Sequence, residues 1–288
     1  MTLRVEFLGT AGAMPIPRPL CACRVCVEAH EKGLPYTRSG PSLFVHGPDV
    51  LIDTPGEVVD QLNRSTVDRI LGCFYSHWHP DHTMGRHVFS TINADYRAWP
   101  KVPRGVIDVY LPEQVAADAR SHLALWDHLK YLEEREHVIR LHVLPDGDEL
   151  GIGDTTIRPF RLAQDFVYGF LFEGADRRLL VVADEIDGWM PPLRVRGVDL
   201  AVVPMGIAEF HPLTNERLIA KKHSILKTEA TFEETLEIVA AIEPTRVVMT
   251  HIEESDGLNY DDLLEVEQRL RERGLNVTFA FDTLTVEV

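Results

Sequence analysis

The residues best able to do chemistry stand in one short run, His77-Trp78-His79-Pro80-Asp81-His82. It offers imidazole and carboxylate donors, which suit Zn, Mn or Fe. In an extended segment His77 and His79 face the same side, because side chains alternate along a strand. Pro80 bends the chain behind them and can aim Asp81 and His82 at a second point. The spacing therefore reads as two ligands for one divalent ion and two for a neighbour. A pair of ions roughly 3.5–4 Å apart polarises a substrate oxygen and generates hydroxide near neutral pH. With 13 histidines in the chain some clustering is expected by chance, but such a density directly after an apolar strand is not.

A second group is Cys21, Cys23 and Cys26, a Cys-x-Cys-x-x-Cys run. Thiolates at this spacing suit a structural tetrahedral Zn, which takes four ligands. His30, four residues after Cys26, is a local candidate for the fourth. A disulfide framework is not expected in a chain with no export signal. Cys73, inside an apolar strand, reads as core.

These groups need a scaffold. Leu3–Leu8 reads as a first strand ending at Gly9-Thr10-Ala11-Gly12, and a Pro- and Cys-rich loop follows to about Ser42. Ser42–His46 and Val50–Asp53 form a hairpin, Glu57–Asn63 a short helix, and Ile70–Ser76 the strand that delivers the His-rich run. Thr83–Ile92 and Glu113–His137 read as helices, with strand Val106–Leu111 between them. Further strands fall at Val138–Val143, Thr155–Leu162, Tyr168–Glu173, Arg178–Ala183, Leu200–Pro204, Arg246–Thr250 and Asn276–Ala280. Helices fall at Phe232–Ile242 and Asp261–Arg273. His77, Asp184 and His251 each stand where an apolar strand stops, the place where sheet-based folds gather their sites.

Length and composition set bounds. The chain has 288 residues, 45% of them apolar, enough for one large core. With no linker or repeat, residues 1–288 are read as one domain carrying a Cys-rich zinc-binding loop at about 18–40. No apolar run reaches the roughly 18 residues of a membrane span, and the alternating N-terminus from Met1 lacks a signal-peptide core, so a cytoplasmic protein is expected. The net charge of −16, from 45 acids against 29 bases, argues against a grip on long nucleic acid. A small phosphorylated substrate stays compatible, and nothing rules for or against a homodimer.

Ser76-His77-Trp78-His79-Pro80-Asp81-His82, with the strand-ending Asp184 and His251, resembles the metallo-β-lactamase superfamily. The resemblance covers most of the chain and implies an α/β fold, the four-layer αβ/βα sandwich with a dimetal site at one sheet edge. It implies that His77 and His79 bind the first metal, that Asp81, His82 and His251 bind the second, and that Asp184 bridges them. Leu8-Gly9-Thr10-Ala11-Gly12 followed by Cys21-Ala22-Cys23-Arg24-Val25-Cys26 is similar to the PhnP-type phosphodiesterases, which open a cyclic phosphate of phosphoribose. PqqB-type proteins carry a similar cysteine run.

The sequence departs from this pattern twice. The family supplies one more metal-binding His before Tyr168-Gly169-Phe170, where Arg161-Leu162-Ala163-Gln164-Asp165-Phe166 has none. Gln164 or Asp165 could donate an oxygen instead, which would favour Mn or Fe over Zn. The fourth ligand of the Cys group, a His in the PhnP pattern, falls at Glu254. His223, in Lys221-Lys222-His223-Ser224, matches a His that stands at the active site in PhnP-type enzymes.

The expected function is a metal-dependent phosphodiesterase acting on a small, possibly cyclic, phosphodiester through a metal-bound hydroxide. His223 would protonate the leaving group. The metals expected are two divalent ions (Mn, Zn or Fe) at the active site and one structural Zn. Lactonase or thioesterase chemistry uses the same hydroxide on a carbonyl, and a PqqB-like binding protein would not hydrolyse at all.

Overall fold

Segments rich in Val, Leu, Ile and Phe make the strands, because such side chains pack well on a pleated, half-buried surface. The computed structural model describes residues 3–97, 99–100 and 102–288. Met1 and Thr2, which head the N-terminal alternation, lie outside the described residues. The first half supplies β1 (Arg4–Gly9), β2 (Ser42–His46), β3 (Val50–Ile52), β4 (Gly72–Phe74), β5 (Ile107–Pro112) and β6 (Ile139–Leu144). The second half supplies β7 (Leu150–Ile152), β8 (Thr155–Arg161), β9 (Tyr168–Glu173), β10 (Arg178–Val182), β11 (Leu200–Pro204), β12 (Arg246–Thr250) and β13 (Val277–Phe279), and β14 (Thr285–Glu287) returns to the first sheet.

The sheet orders are β14-β1-β2-β3-β4-β5-β6 and β13-β12-β11-β10-β9-β8-β7. Each sheet is antiparallel on one side and parallel on the other. In the first, β3 to β6 run parallel; in the second, β10 to β13 do. The parallel strands are apolar nearly throughout, as expected where both faces are covered, and every residue of β11 is buried. One core lies between the sheets and joins residues of both, including Phe74 of β4 and Phe170 of β9 with ring centroids 5.4 Å apart.

The helices are α1 (Arg24–Lys32), α2 (Val58–Asn63), α3 (Pro80–Thr83), α4 (Val88–Asn93), α5 (Glu113–Ala119), α6 (Leu125–Tyr131), α7 (Phe232–Ile242) and α8 (Tyr260–Glu272). A second core lies between the other sheet face and α7 and α8, through Leu236, Val239, Leu263, Val266 and Leu270. Helices α5 and α6 cover the first sheet. The result is the helix–sheet–sheet–helix sandwich that the alternation of elements implies. Among the described residues no helix is long and apolar enough to cross a membrane.

Three elements differ from the sequence reading. The Cys-rich segment is not all loop, since α1 starts directly after Cys23. The stretch Thr83–Ile92 is not one helix, because Gly85 breaks it. Gly85 donates its N–H to the Thr54 carbonyl at 2.8 Å, and a Cβ there would lie 1.9 Å from the Pro55 carbonyl oxygen. The run Glu113–His137 splits into α5 and α6 because Leu123 and Ala124 take left-handed φ values of 56° and 47°. That break seats His122 on Trp78, the neighbour of His79, with ring centroids 4.0 Å apart.

Phe170→Ala should test the inter-sheet core. The side chain is fully buried, and truncating such a Phe costs roughly 3–5 kcal/mol. The guanidinium unfolding midpoint should fall accordingly, and an unchanged midpoint would show that the sheets do not depend on this contact.

Candidate metal centre

Four strand ends deliver the polar side chains. Asp53 follows β3, His77 comes three residues after β4, Asp184 two after β10, and His251 directly follows β12. The sheets are tied together at this edge. The Tyr168 N–H donates to the Ser76 carbonyl at 3.0 Å, and the Ile252 N–H donates to the Thr10 carbonyl at 2.9 Å. Asp53 and His251 have φ values of +62° and +55°. This left-handed backbone is uncommon outside glycine and clusters at functional sites. Gly12, from the loop after β1, makes room for His251, since a Cβ there would meet His251 Cε1 at 2.3 Å.

The side chains converge in two groups. His77, His79 and Asp184 form one, and Asp81, His82 and His251 the other, each with a set of donor atoms lying within 4.8 Å of one another. Asp184 reaches both. Its Oδ2 lies 3.1 Å from His77 Nε2 and 3.6 Å from His82 Nε2, and its Oδ1 lies 3.2 Å from His251 Nε2. His82 Nε2 also lies 3.4 Å from Asp81 Oδ2. Yet the buried Nε2 atoms of His77, His82 and His251 have no hydrogen-bond partner. Buried polar atoms are ordinarily satisfied. Three imidazole nitrogens turned to common points beside carboxylates, and unpaired, are what divalent cations would satisfy, so the donor set fits such ions.

The far sides of the His77 and His82 rings are held, His77 Nδ1 by Ser76 Oγ at 3.0 Å. Asp53 Oδ2 lies 2.8 Å from His82 Nδ1 and accepts from Ser76 Oγ at 2.6 Å, while Asp53 Oδ1 accepts the Ser76 N–H at 2.8 Å. A carboxylate behind a histidine fixes its orientation and leaves Nε2 free for a metal. Burial, with His82 nearby, lowers the pKa of His77, and burial with His77 takes His79 down to about 4, so both rings are neutral and ready to ligate. Burial also opposes charge on His82, but Asp81 and Asp53 outweigh it and raise that pKa well above normal. Burial pushes Asp184 up, and His251, His77 and His82 overcome it and hold it well below the usual range. Asp81 is held low in the same way, against burial, by His82 and His251.

A cavity of about 260 Å³ opens beside these groups, and His79, Asp81, Asp184 and His251 line it. Its apolar wall includes Phe166, Val167, Ile186, Ile207 and Ile225. In the segment that lacks the further histidine, Phe166 places its ring 5.3 Å from that of His79. Gln164 lines the cavity and its Nε2 donates to the Thr228 carbonyl at 2.8 Å. Asp165 is exposed and belongs to neither ligand group. The structure does not bring His223 to this cavity. The residue is exposed, and its Nδ1 accepts the Ile225 N–H at 3.2 Å to cap a short helical turn. Its side chain is spent on capping this turn, whereas Ile225, Glu229 and Ala230, farther along the same stretch, line the cavity.

Cys21, Cys23, Cys26 and Glu254 form a separate group with donor atoms within 4.8 Å. The Cys21 and Cys23 thiols each lie 3.2 Å from Glu254 Oε1. His30 is exposed and outside it, so the fourth donor present is Glu254. Burial, with Glu254 and the other thiols, pushes the Cys23 thiol up to about 12. A cation is what would make three thiolates and a carboxylate compatible.

The sequence reading did not single out Asp53, Glu185 or Glu229. Asp53 could have been found, since it too stands where a strand stops. Glu185 and Glu229, both lining the cavity, sit in segments with no periodicity or motif to mark them.

The profile of the beta-lactamase superfamily domain matches residues 49–252. No functionally curated protein matches the sequence. Among solved structures, a diphosphatase from the PhnP family is 20% identical with a TM-score of 0.71, over 99% of this chain and 98% of that one. Zinc-bound PqqB from Methylobacterium extorquens is 14% identical at 0.71, over 99% and 100%. The short form of human tRNase Z is 19% identical at 0.63, over 98% of both chains. At these identities the likeness is one of fold.

Asp184→Asn keeps the shape of the side chain and removes the charge that faces both groups. After loading with Mn, it should bind fewer divalent ions outside the Cys group, as read by mass spectrometry of the metals. An unchanged content would remove Asp184 from the centre.

Proposed function

The chain belongs to the metallo-β-lactamase superfamily, and from that premise we propose that it is a metal-dependent hydrolase acting on a small phosphodiester, including cyclic ones. The observation that carries this reading is the set of buried, unpartnered imidazole nitrogens on either side of the Asp184 carboxylate. His77, His79 and Asp184 would hold one divalent ion. Asp81, His82 and His251 would hold the other, with Asp184 shared. Such ions, when bound, supply activation of water near neutral pH and neutralise charge developing on the reacting oxygens. An oxygen-rich donor set, with no third imidazole in the first group, favours Mn or Fe there.

The protein's own contribution is positioning and exclusion. Asp53 and Ser76 hold His82 in one orientation. Phe166, Val167 and Ile186 make one wall apolar, which keeps bulk water from that side. Asp81 lines the cavity as a carboxylate and can accept the proton of the attacking water. The cavity's size suits a small molecule, and the net charge of −16 disfavours long nucleic acid. The fold shared with a PhnP-family diphosphatase lends support to phosphoryl chemistry. Cys21, Cys23, Cys26 and Glu254 would hold a structural Zn, and reduced thiols in such a group fit a reducing compartment like the cytoplasm.

One observation favours a second reading. No Lys or Arg lines the cavity among the described residues, while Glu185, Glu229 and Glu253 do. An acidic wall suits a neutral substrate, as in lactone or thioester hydrolysis, better than an anionic one. With Mn bound, the protein should turn over bis-p-nitrophenyl phosphate faster than a lactone. Lactone turnover without phosphodiester turnover would replace the first reading by the second.

A further inference from the structure

The His251 imidazole owes its place to more than its own strand. The segment from His251 to Glu253 runs beside the loop that follows β1 and meets it three times. The Ile252 N–H donates to the Thr10 carbonyl at 2.9 Å. The His251 ring fills the space that a Cβ on Gly12 would need. Glu253 Oε1 accepts the Met14 N–H at 3.2 Å. Residues 10–15 have no regular structure of their own, so whatever holds this loop also sets His251.

What holds it is a polar network around the Thr10 hydroxyl. Thr10, Arg38 and Asp282 are all buried. Thr10 Oγ1 donates to Asp282 Oδ1 at 2.7 Å and accepts from Arg38 Nη1 at 3.0 Å, so the hydroxyl is used both ways. Asp282 Oδ2 accepts the Ser39 N–H at 2.9 Å, the Ser39 hydroxyl at 2.6 Å and Arg64 Nη2 at 2.5 Å. Arg38 also donates to the Ala280 carbonyl, and its backbone pairs with that of Ile16 at the far end of the loop. Ala280 and Asp282 lie where the chain crosses from β13 of one sheet to β14 of the other. The hydroxyl is thus fixed with respect to both sheets.

Stability alone does not account for this network. Apolar side chains of like volume often match or exceed a buried ionic group in stability, and Arg38 Nη2 is left without a partner among the described residues. What a buried hydroxyl with both roles filled does supply is a single geometry.

We propose that Thr10, locked between Asp282 and Arg38, is a positioning residue for His251 and so for the group Asp81, His82 and His251. With the hydroxyl in place, the Thr10 carbonyl meets the Ile252 N–H, and His251 Nε2 stays turned toward Asp184, 3.2 Å from its Oδ1. Without it the loop is free to shift, and the second group loses its hold on His251. His77 and His79, carried by the segment after β4, keep their places. The inference rests on the two-ion reading of the centre but not on the choice of substrate.

The test counts Mn in the parent protein, in Thr10→Val, which keeps the shape and removes the hydroxyl, and in Thr10→Ser, which restores it. Bound metal is titrated by mass spectrometry and observed by electron paramagnetic resonance. Mn is a hard ion that thiolates hold poorly, so the Cys group stays out of the count. The parent should hold two Mn and give the signal of a spin-coupled pair. Thr10→Val should bind the second Mn about 10- to 100-fold more weakly, keep the first within about 3-fold and give the signal of an isolated ion. Thr10→Ser should recover the pair. Parent-like uptake by Thr10→Val, or equal weakening of both ions, would overturn the proposal. Val266→Ala, in the core under α8, separates positioning from stability. It should lower the unfolding midpoint and leave the coupled pair intact, and loss of the pair there too would overturn the proposal. Should Thr10→Val not fold, Asp282→Asn alters the partner of the same hydroxyl and should show the same selective loss; two tightly held ions in it would count against Thr10. If the parent takes up fewer than two Mn, the two-ion reading falls and this inference with it. Two Mn in both the parent and Thr10→Val leave that reading standing and remove only the role of Thr10.

Discussion

The structure depends on one electrostatic constraint. Imidazoles and carboxylates are buried together at the edge where two sheets meet, with nitrogen lone pairs turned toward one another. Burying polar groups without partners is unfavourable, on the order of 1–3 kcal/mol for each. A folded chain carries several of them in one place only if something else satisfies them. Divalent cations are the partner that fits the donor types and resolves the crowding of like lone pairs at once. The fold then serves to keep the donors from relaxing into ordinary hydrogen bonds with each other.

That rigidity comes from the sandwich. His77 and His251 each follow a strand flanked by parallel neighbours, and Asp184 follows β10, which is paired on both sides, so the sheets hold their backbones in place. The left-handed φ of His251 and of Asp53 is a local cost that the surrounding sheets override. The Cys group contributes to the same end. Glu254 lies three residues after His251, and through Cys21 and Cys23 it ties the loop bearing His251 to the start of α1. A structural ion there would brace one ligand of the active-site pair from behind, which links the two groups the sequence presents as separate.

Much of this was legible in the sequence. The strand ends at Asp184 and His251 stand out because an apolar run stops at a polar residue, and the His77–His82 run declares itself by ligand density. Phe232–Ile242 is the helix its periodicity implies, closed at its start by the Thr231 and Glu234 capping box. What sequence could not supply were effects of distance. The helix breaks at Gly85 and at Leu123–Ala124 go with contacts to Pro55 and Trp78, which lie elsewhere in the chain. His223 sits ahead of a helix as an active-site residue would, yet its side chain is exposed and caps its own turn, while Ile225 just after it lines the cavity. Glu185 and Glu229 carry no local signal, and only the fold brings them to the same cavity. Asp53 was missed although its strand-end position follows the same rule as its partners.

The most direct test of the central claim is a crystal of the metal-loaded protein measured at the absorption edge of the added metal. The account predicts anomalous scattering peaks bracketed by His77, His79 and Asp184 on one side and by Asp81, His82 and His251 on the other. Absence of any peak there, with the imidazole nitrogens instead hydrogen-bonded to one another or to water, would contradict it.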